Sequence, residues 1–219
     1  MAFMLFRPAS FGRALFLEVG LMKAFNLRKI AVCAIFSALG FALMMLEFPL
    51  PFIIPSFIKL DFSEIPALIA AYAFGPIYGI IVCAVKNLLH LFVTTSAGVG
   101  ELSNFVLGAV FCGMAGLAYK KNHSRKGALI GALIGAAAMA VISVATNYFV
   151  VYPAYVVIYG MPMEAILGMY KALLPMADNL FKALLIFNLP FNLAKGIIDA
   201  AVCFAVYKRI SPILKNENP

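Results

Sequence analysis

The chain has 219 residues, of which 64% are hydrophobic and 12% are charged, and its mean hydropathy is +1.01. A soluble domain is nearer half apolar and a quarter charged, so this composition excludes an ordinary soluble domain and indicates an integral membrane protein. The net charge of +8 does not indicate nucleic-acid binding, because most basic residues lie at the ends of apolar runs, as topology signals do.

The N-terminal segment mixes basic and apolar residues and has no signal peptide, because no long apolar region precedes a small-residue cleavage site. Residues 22–29 are typical of a start just before a first helix. We therefore predict that Met22 is the initiator and that residues 1–21 are a non-native or flexible extension. Residues 22–219 are predicted to form one membrane domain.

The first predicted helix runs from about Ile30 to Leu46. Small residues recur every four positions, at Ala34, Ala38 and Ala42. This spacing lets another helix approach closely, either within the molecule or from a partner.

An apolar, aromatic loop follows at residues 47–64. Its three prolines within seven residues, Pro49, Pro51 and Pro55, exclude a regular helix. A loop this apolar should pack against the protein, either as a lid over a ligand pocket or as a plug for the end of a helix bundle.

The second helix is predicted to begin at Ser63, a plausible N-cap, and to end at Phe74. About a dozen residues are short for a full span, so we expect a tilted or partly buried helix. The third helix, Ile77–Val93, carries Lys86 and His90 four residues apart. Two such side chains at membrane depth favour a polar cavity.

The fourth and fifth helices are predicted at about 101–119 and 128–151. Small residues make the first half of the fifth helix thin, and Asn147 lies in its second half. A buried asparagine needs hydrogen-bond partners on neighbouring helices or on a ligand. In the long connection at 153–182, residues 163–174 have helical spacing and are expected at the membrane surface.

The sixth helix, Phe187–Tyr207, is long enough to cross a bilayer but contains Asn192, Lys195 and Asp199 on one face. A charge in hydrocarbon costs several kcal/mol, so such residues usually face a cavity or a partner. The sequence leaves two interpretations open: a buried Lys195–Asp199 pair that joins helices, or a ligand contact.

Charge distribution predicts the topology. Twelve of the 17 lysine and arginine residues lie in the N-terminal segment, the 120–126 loop and the C-terminal tail. The positive-inside rule then places both termini in the cytoplasm, which is consistent with six spans. The loops that contain few basic residues then lie on the outer face of the membrane. Asn147 and Asn192 are predicted near the same face.

The cysteines do not indicate a disulfide framework or a zinc site. All four, Cys33, Cys83, Cys112 and Cys203, lie in apolar runs, and none forms a CxxC pair. We expect small buried side chains.

Four motifs follow one another along the chain: Lys59-Leu-Asp-Phe-Ser-Glu-Ile-Pro-Ala-Leu, Lys86-Asn-Leu-Leu-His-Leu, Gly98-Val-Gly-Glu-Leu-Ser-Asn-Phe and Asn192-Leu-Ala-Lys. In this order they resemble the riboflavin-specific substrate-binding (S) components of energy-coupling factor (ECF) vitamin transporters, the RibU family. The resemblance extends from Met22 to about Lys215.

This resemblance implies an all-α, six-helix S component in the plasma membrane of a prokaryote. It implies high-affinity riboflavin capture from outside and a complex with a transmembrane coupling protein and two ABC-type ATPases. No cofactor or metal is implied. The chain would lack its own ATPase, and indeed its sequence contains no glycine-rich phosphate loop ending in Lys-Ser/Thr.

The resemblance also implies site residues. An asparagine late in the fifth helix and an asparagine and a lysine in the sixth bind the flavin, and the loop after the first helix caps it. The alanine stripe docks on the coupling protein. The predicted ligand contacts here are Asn147, Asn192, Lys195, Phe48, Pro51, Phe52 and Tyr155, and the predicted docking residues are Ala34, Ala38 and Ala42.

Three alternatives remain at this stage. The same fold could bind FMN or another vitamin. An ion-coupled carrier could work alone, with Lys86, His90 and Asp199 as a proton relay. A membrane enzyme ranks last, because the sequence shows neither a clustered acidic metal motif nor a nucleophile–His–acid set. No specific role is assigned to Glu101.

Overall fold

The computed structural model describes residues 27–215; the predicted start at Met22 and the extension at 1–21 lie outside them. The described chain is mostly helical. Its helices are α1 (Leu27–Met44), α2 (Glu64–Phe74), α3 (Pro76–His90), α4 (Val99–Lys121), α5 (Arg125–Thr146), α6 (Tyr152–Tyr159), α7 (Met163–Leu173), α8 (Leu180–Ala183) and α9 (Leu189–Lys215).

Two π-helical turns each join a pair of consecutive helices into one continuous helical stretch. The first, Asn147–Val151, joins α5 to α6, and the second, Leu184–Asn188, joins α8 to α9. A short 3-10 turn at Leu91–Val93 extends α3.

Five helical stretches within the described residues are long and apolar enough to cross a membrane. They are Leu27–Met44, Pro76–Val93, Val99–Lys121, Arg125–Ile158 and Leu180–Val206. The apolar runs in the sequence predicted each of them, but some bounds were wrong. The stretch that begins at Arg125 continues past the predicted end at Val151 into α6, so the predicted connection at 153–182 starts later, and the last stretch begins at Leu180 rather than Phe187. Helix α9 also continues beyond the predicted end at Tyr207. The prediction of a separate helix at 163–174 is confirmed by α7.

Helix α2 lies at the centre of the fold. Its 11 residues span only about 16 Å at 1.5 Å per residue, and every residue from Glu64 to Tyr72 is buried. It packs against α1, α3, α4 and α9, which confirms a short, buried second helix. The helix ends at Gly75, whose φ of +112° favours glycine, and Pro76 begins α3.

Ser63 occupies the N-cap position of α2, but its side chain makes no capping hydrogen bond, which corrects the prediction. Its hydroxyl donates to Asp61 and accepts from the ammonium group of Lys86. These buried charges bind the hydroxyl more strongly than a helix N–H would, because hydrogen bonds to ions exceed neutral ones.

The proline-rich loop folds back on itself as a two-stranded antiparallel ribbon. Strand β1 (Phe48–Pro49) pairs with β2 (Lys59–Leu60), with Phe48 opposite Leu60. Between the strands, Ile54 is fully buried in a cluster with Leu60 and Phe191 of α9. The loop is therefore packed down against α9, as its composition predicted.

The predicted stripe of α1 lies on the outside of the molecule. Ala34, Ala38 and Ala42 are exposed, whereas Phe36 and Gly40 on the opposite side are buried. The cysteines behave as small buried residues: all four are free and buried.

Small residues bring α5 close to two neighbours. A Cβ atom at Gly135 would lie 2.5 Å from the main-chain oxygen of Phe111 on α4, and one at Gly131 would lie 2.7 Å from that of Ala115. On the α9 side, a Cβ at Gly196 would lie 2.7 Å from Cβ of Ala136. The small residues in the first half of α5 thus allow the neighbouring helices to pack closely against it.

We predict that Gly135→Ala lowers the free energy of unfolding by about 1–3 kcal/mol, because α4 and α5 must separate to admit the methyl group. Gly168→Ala is the matched control. Gly168 lies in α7 with open space around its Cβ position, so alanine should be neutral or slightly stabilising. Thermal unfolding in detergent measures both, and equal effects would contradict the close approach.

Candidate functional site

A partly open cavity of about 150 Å³ lies between the first turns of α4, the two π turns, α9 and the proline-rich loop. Its wall combines apolar side chains with amides and charged groups. Among the residues that line it are Phe57, Ile58, Leu107, Phe191, Asp61, His90, Glu101, Asn104, Asn147, Tyr152, Tyr155, Asn188, Asn192 and Lys195.

Four of the seven predicted ligand contacts meet at this cavity: Asn147, Tyr155, Asn192 and Lys195. They come from the first π turn, α6 and α9. Asn147 and Asn192, which are 45 positions apart in the chain, therefore line the same cavity.

The predicted capping residues do not line the cavity. Phe48 and Pro51 are exposed, and Phe52 is 94% exposed. The proline-rich loop instead contributes Phe57 and Ile58 to the lining. The turn after β1 directs its aromatic side chain outward, and the chain re-enters only near β2.

Sequence reasoning gave no role to Asn188 and Asp61, both of which line the cavity. A signal was present in each case. Asn188 precedes Asn192 by four residues and so shares its helix face. Asp61 lies within a short run of three charged residues, from Lys59 to Glu64, that supplied one of the family motifs.

Both π turns occur at this cavity. Asn147 begins the first, and Asn188 ends the second. A π turn inserts one residue into the helical register and is common at functional sites. Each turn therefore changes the helical register directly beside an asparagine that lines the cavity.

Four buried ions form a group at the cavity, of which Asp61 and Lys195 line it. The Lys195 ammonium group is 2.8 Å from Oδ2 of Asp61 and 3.0 Å from Oε2 of Glu64. The Lys86 ammonium group is 2.8 Å from Oε1 of Glu64. We call these residues, Asp61, Glu64, Lys86 and Lys195, the ion network. It joins the proline-rich loop, α2, α3 and α9.

The Lys195–Asp199 pair that the sequence suggested is not formed. Lys195 pairs with Asp61 and Glu64 instead, and among the described residues no hydrogen bond reaches either carboxylate oxygen of the fully buried Asp199. The supposed relay of Lys86, His90 and Asp199 is likewise divided: Lys86 binds Glu64, and His90 binds Glu101.

The ion network determines the charge state of Asp61. Burial by itself raises the pKa of this carboxyl group, but the ammonium groups of Lys195 and Lys86 outweigh burial and hold the pKa below its usual value. Asp61 is therefore ionised at neutral pH. Because the folded-state pKa is lowered, its contribution to stability is present above the unfolded pKa of about 4 and is lost on acidification below it.

A second polar group lies at the start of α4. Nδ1 of His90 is 2.8 Å from Oε1 of Glu101, and the Ser96 hydroxyl donates to Oε2 of Glu101 at 2.6 Å. His90 and Glu101 are both buried and line the cavity. Each carboxylate oxygen of Glu101 thus has a hydrogen-bond partner, and the bond to Ser96 holds the loop that precedes α4.

Another cavity, of about 490 Å³, lies at the far end of α4, around the α2–α3 turn. It is lined mainly by aromatic and small residues, with Lys120 and His123 at its edge. None of the predicted ligand contacts lies there, so volume alone does not identify the site.

The five long apolar helical stretches indicate a helical membrane protein, and a cavity with a mixed polar and apolar lining lies at one end of them. A family model described as "ECF transporter, substrate-specific component" matches residues 28–207. The chain therefore belongs to the substrate-specific components of ECF transporters.

Individual relatives agree with this assignment. The chain is 35% identical over 188 residues to the riboflavin transporter RibU of Staphylococcus aureus (strain TCH60), covering 86% of this chain and 93% of that protein. It is 33% identical over 196 residues to the riboflavin transporter FmnP of Bacillus subtilis (strain 168), covering 88% and 96%.

A solved structure, that of the S component of a bacterial ECF transporter, has the same fold. The TM-score is 0.67 at 33% sequence identity, and the match covers 86% of this chain and 98% of that one.

We predict that Glu64→Gln lowers the free energy of unfolding by roughly 3–5 kcal/mol, because it leaves buried ammonium groups without a full counter-charge. Asp178→Asn is the control, since Asp178 pairs with Lys182 in solvent and exposed pairs contribute little. Thermal unfolding at neutral pH compares the two. Similar shifts would contradict a structural role for the ion network.

Proposed function

We propose that this chain is the riboflavin-binding subunit of an ATP-driven ECF uptake transporter. It captures riboflavin at the outer face of the plasma membrane and releases it inside, together with a transmembrane coupling protein and two ABC-type ATPases. It has no catalytic site of its own, and riboflavin is its cargo rather than a cofactor. The single observation that carries the proposal is that Asn147, Asn192 and Lys195 line one cavity.

The composition of the cavity suits a flavin. An isoalloxazine ring has broad apolar faces and a polar edge of carbonyl and imide groups. Phe57, Ile58 and Phe191 supply apolar surface, and asparagine amides supply both donors and acceptors. The riboflavin transporters named above, at 35% and 33% identity, support the same ligand.

The proposed topology has six spans with both termini in the cytoplasm. The five apolar stretches and the shorter α2 supply six helical segments, and the basic 120–126 loop lies at the end of α4 away from the cavity. By the positive-inside rule that end faces the cytoplasm, so the cavity faces outward.

Ligand entry requires movement of the proline-rich loop. A cavity of about 150 Å³ is smaller than the roughly 300–1,000 Å³ of typical small-molecule sites. A tricyclic ligand fits only if the loop that carries Phe57 and Ile58 moves outward. The loop thus acts as a lid, although Phe48, Pro51 and Phe52 form its outer side.

The alanine stripe of α1 is the proposed docking surface for the coupling protein. Ala34, Ala38 and Ala42 are exposed along one side of a membrane helix, where small side chains permit close approach by another helix. An intramolecular role does not account for them, because the buried side of α1 is formed by other residues.

We predict that purified protein quenches riboflavin fluorescence in a stoichiometric titration and that Asn192→Ala weakens this binding by about 1–3 kcal/mol, since one buried hydrogen bond is lost. Asn122→Ala, at the far end of α4, should leave affinity unchanged. Wild-type protein that binds FMN or another vitamin in preference to riboflavin would reassign the ligand, and an unchanged Asn192→Ala variant would remove Asn192 from the site.

We also predict that Ala38→Leu abolishes riboflavin uptake while leaving riboflavin binding intact, because the larger side chain holds the partner helix away. Ala137→Leu places the same change on an exposed position of α5 and should preserve both activities. Uptake is measured in vesicles that contain the coupling protein and both ATPases. Uptake by this chain in vesicles that lack those partners would instead support the ion-coupled carrier.

A further inference from the structure

The cavity of about 490 Å³ around the α2–α3 turn lies where three apolar helical segments end. Helix α2 ends at Phe74, the span that contains α3 begins at Pro76, and the span of α4 ends at Lys121. Lipid head groups lie at this level of a membrane, because they border the hydrocarbon core that the spans cross. The volume also falls within the roughly 300–1,000 Å³ of typical small-molecule sites.

Aromatic side chains form much of the cavity wall. Tyr72 and Tyr119 meet edge to face with their ring centroids 5.1 Å apart, and Phe74 and Tyr78 meet in the same way at 5.8 Å. Ile77 also lines the cavity and is 65% exposed, so this part of the wall continues into the apolar outer surface of a membrane span. Tyrosine is typical of the membrane interface, because its ring is apolar and its hydroxyl is polar.

Three basic side chains lie at this cavity. Lys120 and His123 line its edge and are exposed. The ammonium nitrogen of Lys29, which belongs to α1, lies 5.9 Å from the ring centroid of Tyr78. Among the described residues, none of the three basic side chains belongs to an ion pair. Their charge therefore remains for a ligand.

Acidic side chains do not oppose this charge. Seven acidic residues lie in the described part of the chain, and none of them lines this cavity. They are Glu47, Asp61, Glu64, Glu101, Glu164, Asp178 and Asp199. Three of these, Glu47, Asp61 and Glu101, line the other cavity instead. The cavity at the α2–α3 turn thus suits a ligand that has an anionic part and an apolar part.

We propose that this cavity binds an anionic phospholipid. The phosphate lies at the edge formed by Lys120 and His123, and the glycerol and first acyl carbons lie against the aromatic wall. Basic pockets between membrane helices bind such head groups. A topology signal requires only basic residues in a loop, whereas this site also requires the cavity beside Lys120. The site is independent of the proposed riboflavin function.

The test uses the absence of tryptophan from the chain, because a single introduced tryptophan reports on one position. Tyr78→Trp places this reporter in the cavity wall and keeps a ring face for Lys29. Leu133→Trp is the control, since Leu133 lies on α5, is 47% exposed and does not line the cavity. Each full-length protein is placed in vesicles of equal parts phosphatidylglycerol and phosphatidylcholine. Either the first or the second lipid carries brominated acyl chains, and quenching of fluorescence is measured.

We expect brominated phosphatidylglycerol to quench Tyr78→Trp with about a fivefold preference over phosphatidylcholine, the effect of one basic side chain on an anionic lipid. Both lipids should quench Leu133→Trp equally. Adding Lys120→Gln to Tyr78→Trp should remove the preference. Adding Lys121→Gln removes the same charge from the neighbouring position, but Lys121 does not line the cavity, so the preference should remain.

Equal quenching of Tyr78→Trp by the two lipids would overturn the proposal. A preference that Lys121→Gln lowers as much as Lys120→Gln would also overturn it, because the basic loop would then attract anionic lipid without a site. Inorganic phosphate is added in a further measurement. If it removes the preference when chloride of equal ionic strength does not, the cavity binds free phosphate rather than the lipid.

Melting temperatures decide the matter if Tyr78→Trp does not fold. Wild-type protein, Lys120→Gln and Lys121→Gln are then unfolded in vesicles of each lipid. Stabilisation by phosphatidylglycerol that is lost in Lys120→Gln alone supports the proposal, and any other pattern overturns it. Riboflavin takes no part in these measurements, so failure of this proposal and failure of the proposed function are separate results.

Discussion

The structure depends on the ion network of Asp61, Glu64, Lys86 and Lys195. Removing a charge from water costs several kcal/mol, and only near-ideal partners in a low-dielectric interior offset that cost. Each ion here comes from a different element: the proline-rich loop, α2, α3 and α9. The network is satisfied only when all four elements are in place, so it specifies one arrangement of the bundle more than it adds stability.

This constraint links the architecture to the site through Lys195. The residue pairs with Asp61, 134 positions earlier in the chain, and also lines the cavity. The two interpretations that the sequence left open, a helix-joining ion pair and a cavity residue, are therefore compatible. The pairing partner was wrong because Asp199 is a near neighbour in sequence, whereas the carboxylates that reach Lys195 come from the loop and α2.

Local patterns predicted the elements well and their mutual contacts poorly. Apolar run lengths identified the five long helical stretches, proline and glycine marked the limits of α2, and the thin half of α5 was confirmed as a packing surface. The π turns were not predictable, because an inserted residue changes the register without changing composition. The outward orientation of Phe48 and Phe52 depends on the pairing of β1 with β2. This pairing could not be predicted from the sequence, because each strand has only two residues.

The division between rigid and movable parts follows from burial. Asn192 and Lys195 of α9 are held by a main-chain hydrogen bond and by the ion network, whereas the part of the proline-rich loop before Asp61 is held by fewer buried contacts. Its Lys59–Glu47 pair is partly exposed and contributes at most about 1 kcal/mol. Its one fully buried anchor, Ile54, adds roughly 1.5–3 kcal/mol. The loop before Asp61 can therefore move outward while the ion pair of Asp61 with Lys195 stays in place.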